Sequence, residues 1–121
     1  VVTRDAQLRV HVLGNVCQHR GAVLVDDGPA HGSVLVCPYH RWSYRLDGSF
    51  VGGPLTEGTD LDAVCLPRVR HVVWEGFVLV DPSGTAPDPT DDLAALSAHL
   101  EPWRWSELVT VGSMTFESHW N

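Results

Sequence analysis

No apolar run in this sequence approaches the roughly 20 residues needed to cross a bilayer, and its first residues carry no basic stretch leading into an apolar one. Neither a membrane span nor a secretory signal is indicated, so the expected setting is the cytoplasm. Cysteine is scarce: three residues are an odd number for a disulfide framework, and a reducing compartment suits them. Basic side chains are outnumbered 8 to 15 by acidic ones, leaving a formal net charge of −7 and a pI near 5.3. That mean field repels nucleic acid and anionic membranes and excludes both as expected partners. Also missing are an internal repeat, a low-complexity tract and a phosphate-cradling glycine loop, which excludes solenoids and the common nucleotide-binding classes.

What is present is an ordinary globular composition, 44% hydrophobic and 19% charged. A chain of 121 residues is long enough for one compact domain with a real core. Leu8, Val10 and Val12 alternate with Arg9 and His11, the period-2 pattern of a half-buried strand over residues 8–13. Further β-rich runs recur at 22–26, 33–37, 63–66, 69–74, 77–80 and 109–116. Turn signals separate them, among them Asp27-Gly28-Pro29, Gly52-Gly53-Pro54 and Glu75-Gly76, and Asp47-Gly48 predicts a hairpin with a type I′ turn. Only residues 90–100 read as a helix: Asp91 and Asp92 suit its amino end, and Leu93, Leu96 and Leu100 share a face. The expected class is all-β, mainly antiparallel, with one short helix near the C-terminus.

The chemistry sits in Cys17-Gln18-His19 and Cys37-Pro38-Tyr39-His40, two Cys/His pairs that each follow an apolar strand. Their loops can face each other as neighbouring hairpin tips. An asymmetric two-iron cluster needs two thiolates on one iron and two imidazoles on the other, which Cys17, Cys37, His19 and His40 supply. A structural zinc site and plain core residues are the competing readings. Zinc fingers, however, group cysteine with cysteine and histidine with histidine, an order absent here.

The stretch from Asn15 to Ala22, followed by that from Cys37 to Phe50, resembles the Rieske domain of ring-hydroxylating oxygenase large (alpha) subunits, and Trp74 to Val80 resembles that domain's closing strand. The resemblance implies a fold of stacked small sheets whose hairpin tips bind a Rieske-type 2Fe-2S cluster. It divides the chain into a Rieske domain over 1–82, with its cluster-binding part at about 15–54, and a connecting segment over 83–121. Disulfide-bearing members of the superfamily have an extra cysteine in each ligand loop, where this chain has Gln18 and Tyr39. High-potential members place a serine donor where Trp42 stands, so a potential toward the low end of the Rieske range of about −150 to +300 mV is expected. Tyr44 matches the family tyrosine whose hydroxyl donates to a ligand cysteine. Arg41 departs from the usual glycine.

The ending through Trp103, Trp105 and Ser118-His119-Trp120-Asn121 is similar to the segment that leads into the oxygenase catalytic domain. The expectation is therefore an N-terminal fragment that passes single electrons to a mononuclear Fe(II) in a missing domain. The competing class is a free-standing Rieske ferredoxin without oxygenase activity. Expected partners are a ferredoxin or NAD(P)H-dependent reductase and the catalytic domain of a neighbouring subunit, within a homo-oligomer that resemblance makes a trimer; the net charge alone favours a basic redox partner. The remaining histidines, His11, His31, His71, His99 and His119, stand singly and read as structural or surface residues, and Cys65 as a buried core thiol. Aromatic, carboxylated aromatic, quaternary amine and terpenoid substrates are all compatible with this stretch of chain.

Overall fold

The computed structural model describes residues 1–119; Trp120 and Asn121 lie outside the described residues. The chain forms two compact units, the first from Val1–Val73 and Val78–Ala86, the second from Trp74–Phe77 and the segment from Pro87 onward.

The first unit is built of very short strands. β1 (Val2–Arg4) pairs antiparallel with β2 (Val10–Val12), and β3 (Val34–Val36), β4 (Ser43–Arg45) and β5 (Phe50–Gly52) form an antiparallel sheet in sequence order. β6 (Arg70–Trp74) and β7 (Phe77–Asp81) make a third, two-stranded sheet. The mainly-β class holds. Leu13, Leu24, Leu35, Trp42, Tyr44, Phe50 and Leu66 form the core together with Cys17 and Cys37, so the candidate ligand loops grow directly out of packed residues.

Three expected strands are absent. Across 22–26 only Val23 bridges, to Val16, because the Asn15 side chain takes both the N–H and the C=O of Val25, the groups a ladder would need. Residues 60–64 form turns around Asp60, whose carboxylate accepts from the Asp62 amide at 3.1 Å, and Cys65 is half-exposed rather than a buried core thiol. The apolar run 109–116 finds no partner strand among the described residues, and Val109, Val111, Met114 and Phe116 stand exposed, since β propensity acts only against a neighbouring strand. β1, β4 and β5 went unread because three residues are too few to show a period.

The Asp47-Gly48 hairpin forms with a different turn. Gly48 donates to Arg45 O at 3.0 Å and Arg45 to Ser49 O at 2.8 Å, with Gly48 alone at positive φ (86°), which is a type I turn closed by a bulge. A Cβ on Gly48 would also lie 2.9 Å from Leu13 Cδ2. Glu75-Gly76 has positive φ at both residues, the primed geometry suited to a two-residue loop.

In the second unit the helix α1 spans Thr90–Leu100, with Asp91 and Asp92 in its first turn, and 3-10 turns follow at Glu101–Trp103 and Trp105–Glu107. Trp74 donates from Nε1 to Ser97 Oγ at 2.7 Å, and Phe77 packs near Trp105 while Trp103 is exposed. No helix among the described residues is long and apolar enough to cross a membrane.

Candidate metal centre

The two Cys/His loops are local copies of one another. In the first, the Cys17 amide donates to Ala22 O and Gly21 donates back to Cys17 O, at 2.8 and 2.9 Å. In the second, Cys37 donates to Trp42 O and Arg41 back to Cys37 O, at 2.8 and 3.0 Å. Gly21 and Arg41 therefore occupy equivalent positions, and both have left-handed φ, 72° and 63°. The departure noted in the sequence falls where the loop needs the conformation glycine adopts without strain.

Both sulfurs are buried, with Cys17 and Cys37 each 2% exposed, and neither is in a disulfide. Burial pushes the pKa of the Cys37 thiol up, but the backbone amides of His40 and Tyr39 and a hydrogen bond with Cys17 outweigh it, so that pKa lies below its ordinary value. The loop is thus poised to hold a thiolate. Tyr44 is fully buried, its hydroxyl 3.3 Å from Cys17 Sγ. Gln18 N–H donates to that same hydroxyl oxygen at 3.1 Å, which leaves the phenolic proton to go to the sulfur. Burial, then the Cys17 contact, pushes the Tyr44 ionisation upward, so it acts as a permanent donor.

The two imidazoles meet edge to face with ring centroids 4.8 Å apart. His19 stacks on Trp42 at 4.7 Å, and Trp42 is held by Phe50 and by its own Nε1 donating to Pro54 O at 3.0 Å. That bond leaves the Trp42 indole no proton for a cluster sulfur. Partial burial, the neighbouring His40 ring and the Arg20 guanidinium hold His19 below the ordinary imidazole value, favouring the neutral form that binds metal. His40 Nδ1 is buried with no hydrogen-bond partner, an orphaned polar atom of the kind a metal would satisfy.

The donor set, two buried sulfurs and two neighbouring imidazoles, is the one a two-iron cluster with one thiolate-bound and one imidazole-bound iron asks for. The other histidines are placed differently. His11 pairs with Asp5 at 3.0 Å, His71 lies between the Val69 and Val10 carbonyls, and His31 and His99 are exposed. Asn15 as the strut of the first loop, and Gly53 beneath Trp42, were missed in the sequence. A Cβ on Gly53 would lie inside van der Waals contact of Trp42 Cδ1 and 3.0 Å from Trp42 Cα.

Small antiparallel sheets whose facing tips each offer a cysteine and a histidine define the class of mainly-β iron–sulfur domains. The chain belongs to the Rieske 2Fe-2S domain family, which matches residues 1–70, and the family's cofactor is a 2Fe-2S cluster. It is 38% identical over 105 residues to the glycine betaine monooxygenase oxygenase subunit of Chromohalobacter salexigens, covering 85% of this chain and 24% of that protein. Among solved structures it resembles the quaternary ammonium Rieske monooxygenase CntA in complex with L-carnitine, with a TM-score of 0.74 and 25% identity over 84% of this chain and 30% of that one. It also resembles naphthalene 1,2-dioxygenase with indole bound, with a TM-score of 0.71 and 28% identity over 84% of this chain and 24% of that one. The chain thus spans about a quarter of the length of these relatives.

Proposed function

We propose that Cys17 and Cys37 bind one iron and His19 and His40 the other iron of a Rieske 2Fe-2S cluster, and that the chain passes single electrons to an oxygenase centre outside it. The observation that carries this is the buried, unpartnered Nδ1 of His40 in a loop that mirrors the one bearing Cys17 and His19. When bound, the cluster supplies a one-electron couple whose potential is raised by imidazole ligation.

The residues divide that work. The Tyr39 and His40 amides and the Tyr44 hydroxyl donate toward the two sulfurs, which stabilises added negative charge. Trp42 fixes the plane of His19 by stacking and, with its N–H occupied by Pro54, leaves the potential toward the low end of the Rieske range. His40 turns Nδ1 inward, so Nε2 is the atom left to face an electron acceptor.

Residues 1–82 form the electron-transfer domain in this proposal and 83–121 the connection to a catalytic domain with mononuclear iron. The whole protein is an oxygenase alpha subunit of the cytoplasm, served by a ferredoxin or reductase and assembled as a ring in which a neighbouring subunit receives the electron. The glycine betaine and carnitine enzymes put quaternary ammonium compounds first among substrates to test, and the naphthalene enzyme puts aromatic hydrocarbons second.

Anaerobic reconstitution with iron and sulfide tests the cluster. The expected product is red-brown, with two Mössbauer-distinct irons and a reduced-state EPR signal of low average g. A colourless, zinc-loaded protein overturns the assignment. Coding sequence beyond Asn121 that lacks paired histidines and a carboxylate would leave an electron carrier without oxygenase activity.

A further inference from the structure

The two ligand loops share their internal hydrogen bonds but stand on different supports. The second rises from the hairpin of β3 and β4, in register from Val34 opposite Arg45 to Val36 opposite Ser43, and β5 holds β4 from its other side. The first has an isolated bridge at its base, Val16 with Val23, and its return arm leads into residues 26–33, which are exposed and form no strand. Continuing the register of that bridge puts Val25 opposite Gly14, but the Gly14 N–H is already given to Pro67 O at 2.8 Å. The Asn15 side chain supplies the missing rung: Nδ2 donates to Val25 O at 2.7 Å, and the Val25 N–H donates to Oδ1 at 3.1 Å. A residue in a hydrogen-bonded antiparallel pair turns both its N–H and its C=O to its partner, and a side-chain amide, with donor and acceptor side by side, answers both.

We infer that Asn15 is the positioning residue of the first ligand loop: its amide stands in for a backbone rung and fixes where Cys17 and His19 lie relative to Cys37 and His40. The His19 ring lies 4.8 Å from that of His40 and 4.7 Å from Trp42, so an arm that shifts carries one sulfur and one imidazole of the donor set with it. Leu24 anchors the same arm in the core, but apolar burial is non-directional and does not set a register. The two amide hydrogen bonds are directional and do. This deepens the ligand assignment proposed above and rests on it.

The test uses the reconstituted, cluster-loaded chain and follows bleaching of its visible absorption by excess EDTA, well below the thermal midpoint, beside EPR of the reduced state. Asn15→Ala removes the rung, and Asn15→Leu keeps much of the side chain's shape without its hydrogen bonds. Both should speed bleaching on the order of tenfold and shift the g values. Thr3→Val is the structural control: it removes the buried Thr3 hydroxyl bond to Leu46 O at 2.5 Å, away from both loops, and should lower the thermal midpoint while changing bleaching less than about twofold. Wild-type bleaching and g values in Asn15→Leu overturn the proposal, as does an equal acceleration in Thr3→Val. Should neither Asn15 variant yield folded, loaded protein, hydrogen exchange of the loaded wild type decides: the Val25 amide should exchange at least about tenfold more slowly than amides of the exposed stretch 26–32, and an unprotected Val25 overturns the rung. A wild type without a Rieske EPR signal defeats the ligand assignment, whereas an intact signal with unaffected Asn15 variants defeats the positioning role alone.

Discussion

Arg41 and Tyr44 act on the same few ångströms of chain by different means. A left-handed backbone costs a non-glycine residue about 1–2 kcal/mol, while glycine loses more freedom on folding by about 0.5–1 kcal/mol. Arg41→Gly should therefore raise the stability of the cluster-loaded protein by up to about 1 kcal/mol, read from urea unfolding, and a loss of stability would mean the guanidinium makes contacts the fold depends on. Tyr44 works through one proton. Its hydroxyl accepts from Gln18 and donates to Cys17 Sγ, so Tyr44→Phe removes a donor that favours the reduced state. A net hydrogen bond of about 1 kcal/mol corresponds to on the order of 50 mV for a one-electron couple, and the midpoint should fall by that amount in protein-film voltammetry. An unchanged midpoint would make Tyr44 a packing residue only.

The loops and strands carry those residues through close packing. Gly53 follows β5 and lies against Trp42, which stacks on His19. Gly53→Ala has no room for its methyl without moving Trp42, and overpacking of this kind costs typically 1–3 kcal/mol. The expected result is a destabilised protein with an altered Rieske circular dichroism spectrum; loss of stability with an unaltered spectrum would uncouple Trp42 from the imidazole. Neither this contact nor the clamp from Asn15 to Val25 was legible in the sequence, because both join residues about ten apart through an irregular backbone with no period. The two candidate loops that the fold brings together were legible, since Cys-x-His and Cys-x-x-His are written in covalent spacing. So was α1, whose acidic start and 3.6-residue leucine pattern are both local signals, and its bounds are those read from the sequence. Strands of three residues escaped, and the apolar run 109–116 misled, because pairing is decided by partners that lie elsewhere in the chain.

Across the first unit, ionised carboxylates organise the backbone where hydrophobic strands are too short to do so. Asp5 accepts from the Gln7 and Arg9 amides, from Arg9 Nε and from His11; Asp47 accepts from the amide and hydroxyl of Ser49; Asp81 accepts from Ser83, Gly84 and Ala86. All three are held below the ordinary carboxylate range, Asp5 chiefly by His11, Asp47 by Ser49 and Asp81 by Ser83. A carboxylate more acidic in the folded chain takes up its proton more readily when unfolded, so protonation favours unfolding. The stability these groups supply is complete above the unfolded aspartate value of about 4 and drains away as the pH falls through their lower folded values. Thermal unfolding followed by far-ultraviolet circular dichroism should therefore hold its midpoint from about pH 7 to 5 and lose it below about pH 4. Asp81→Asn keeps an acceptor but removes a titrating group, so it should lower the midpoint at neutral pH and make the acid limb shallower. A limb as steep as in the wild type would shift the acid sensitivity of this fold away from its turn aspartates.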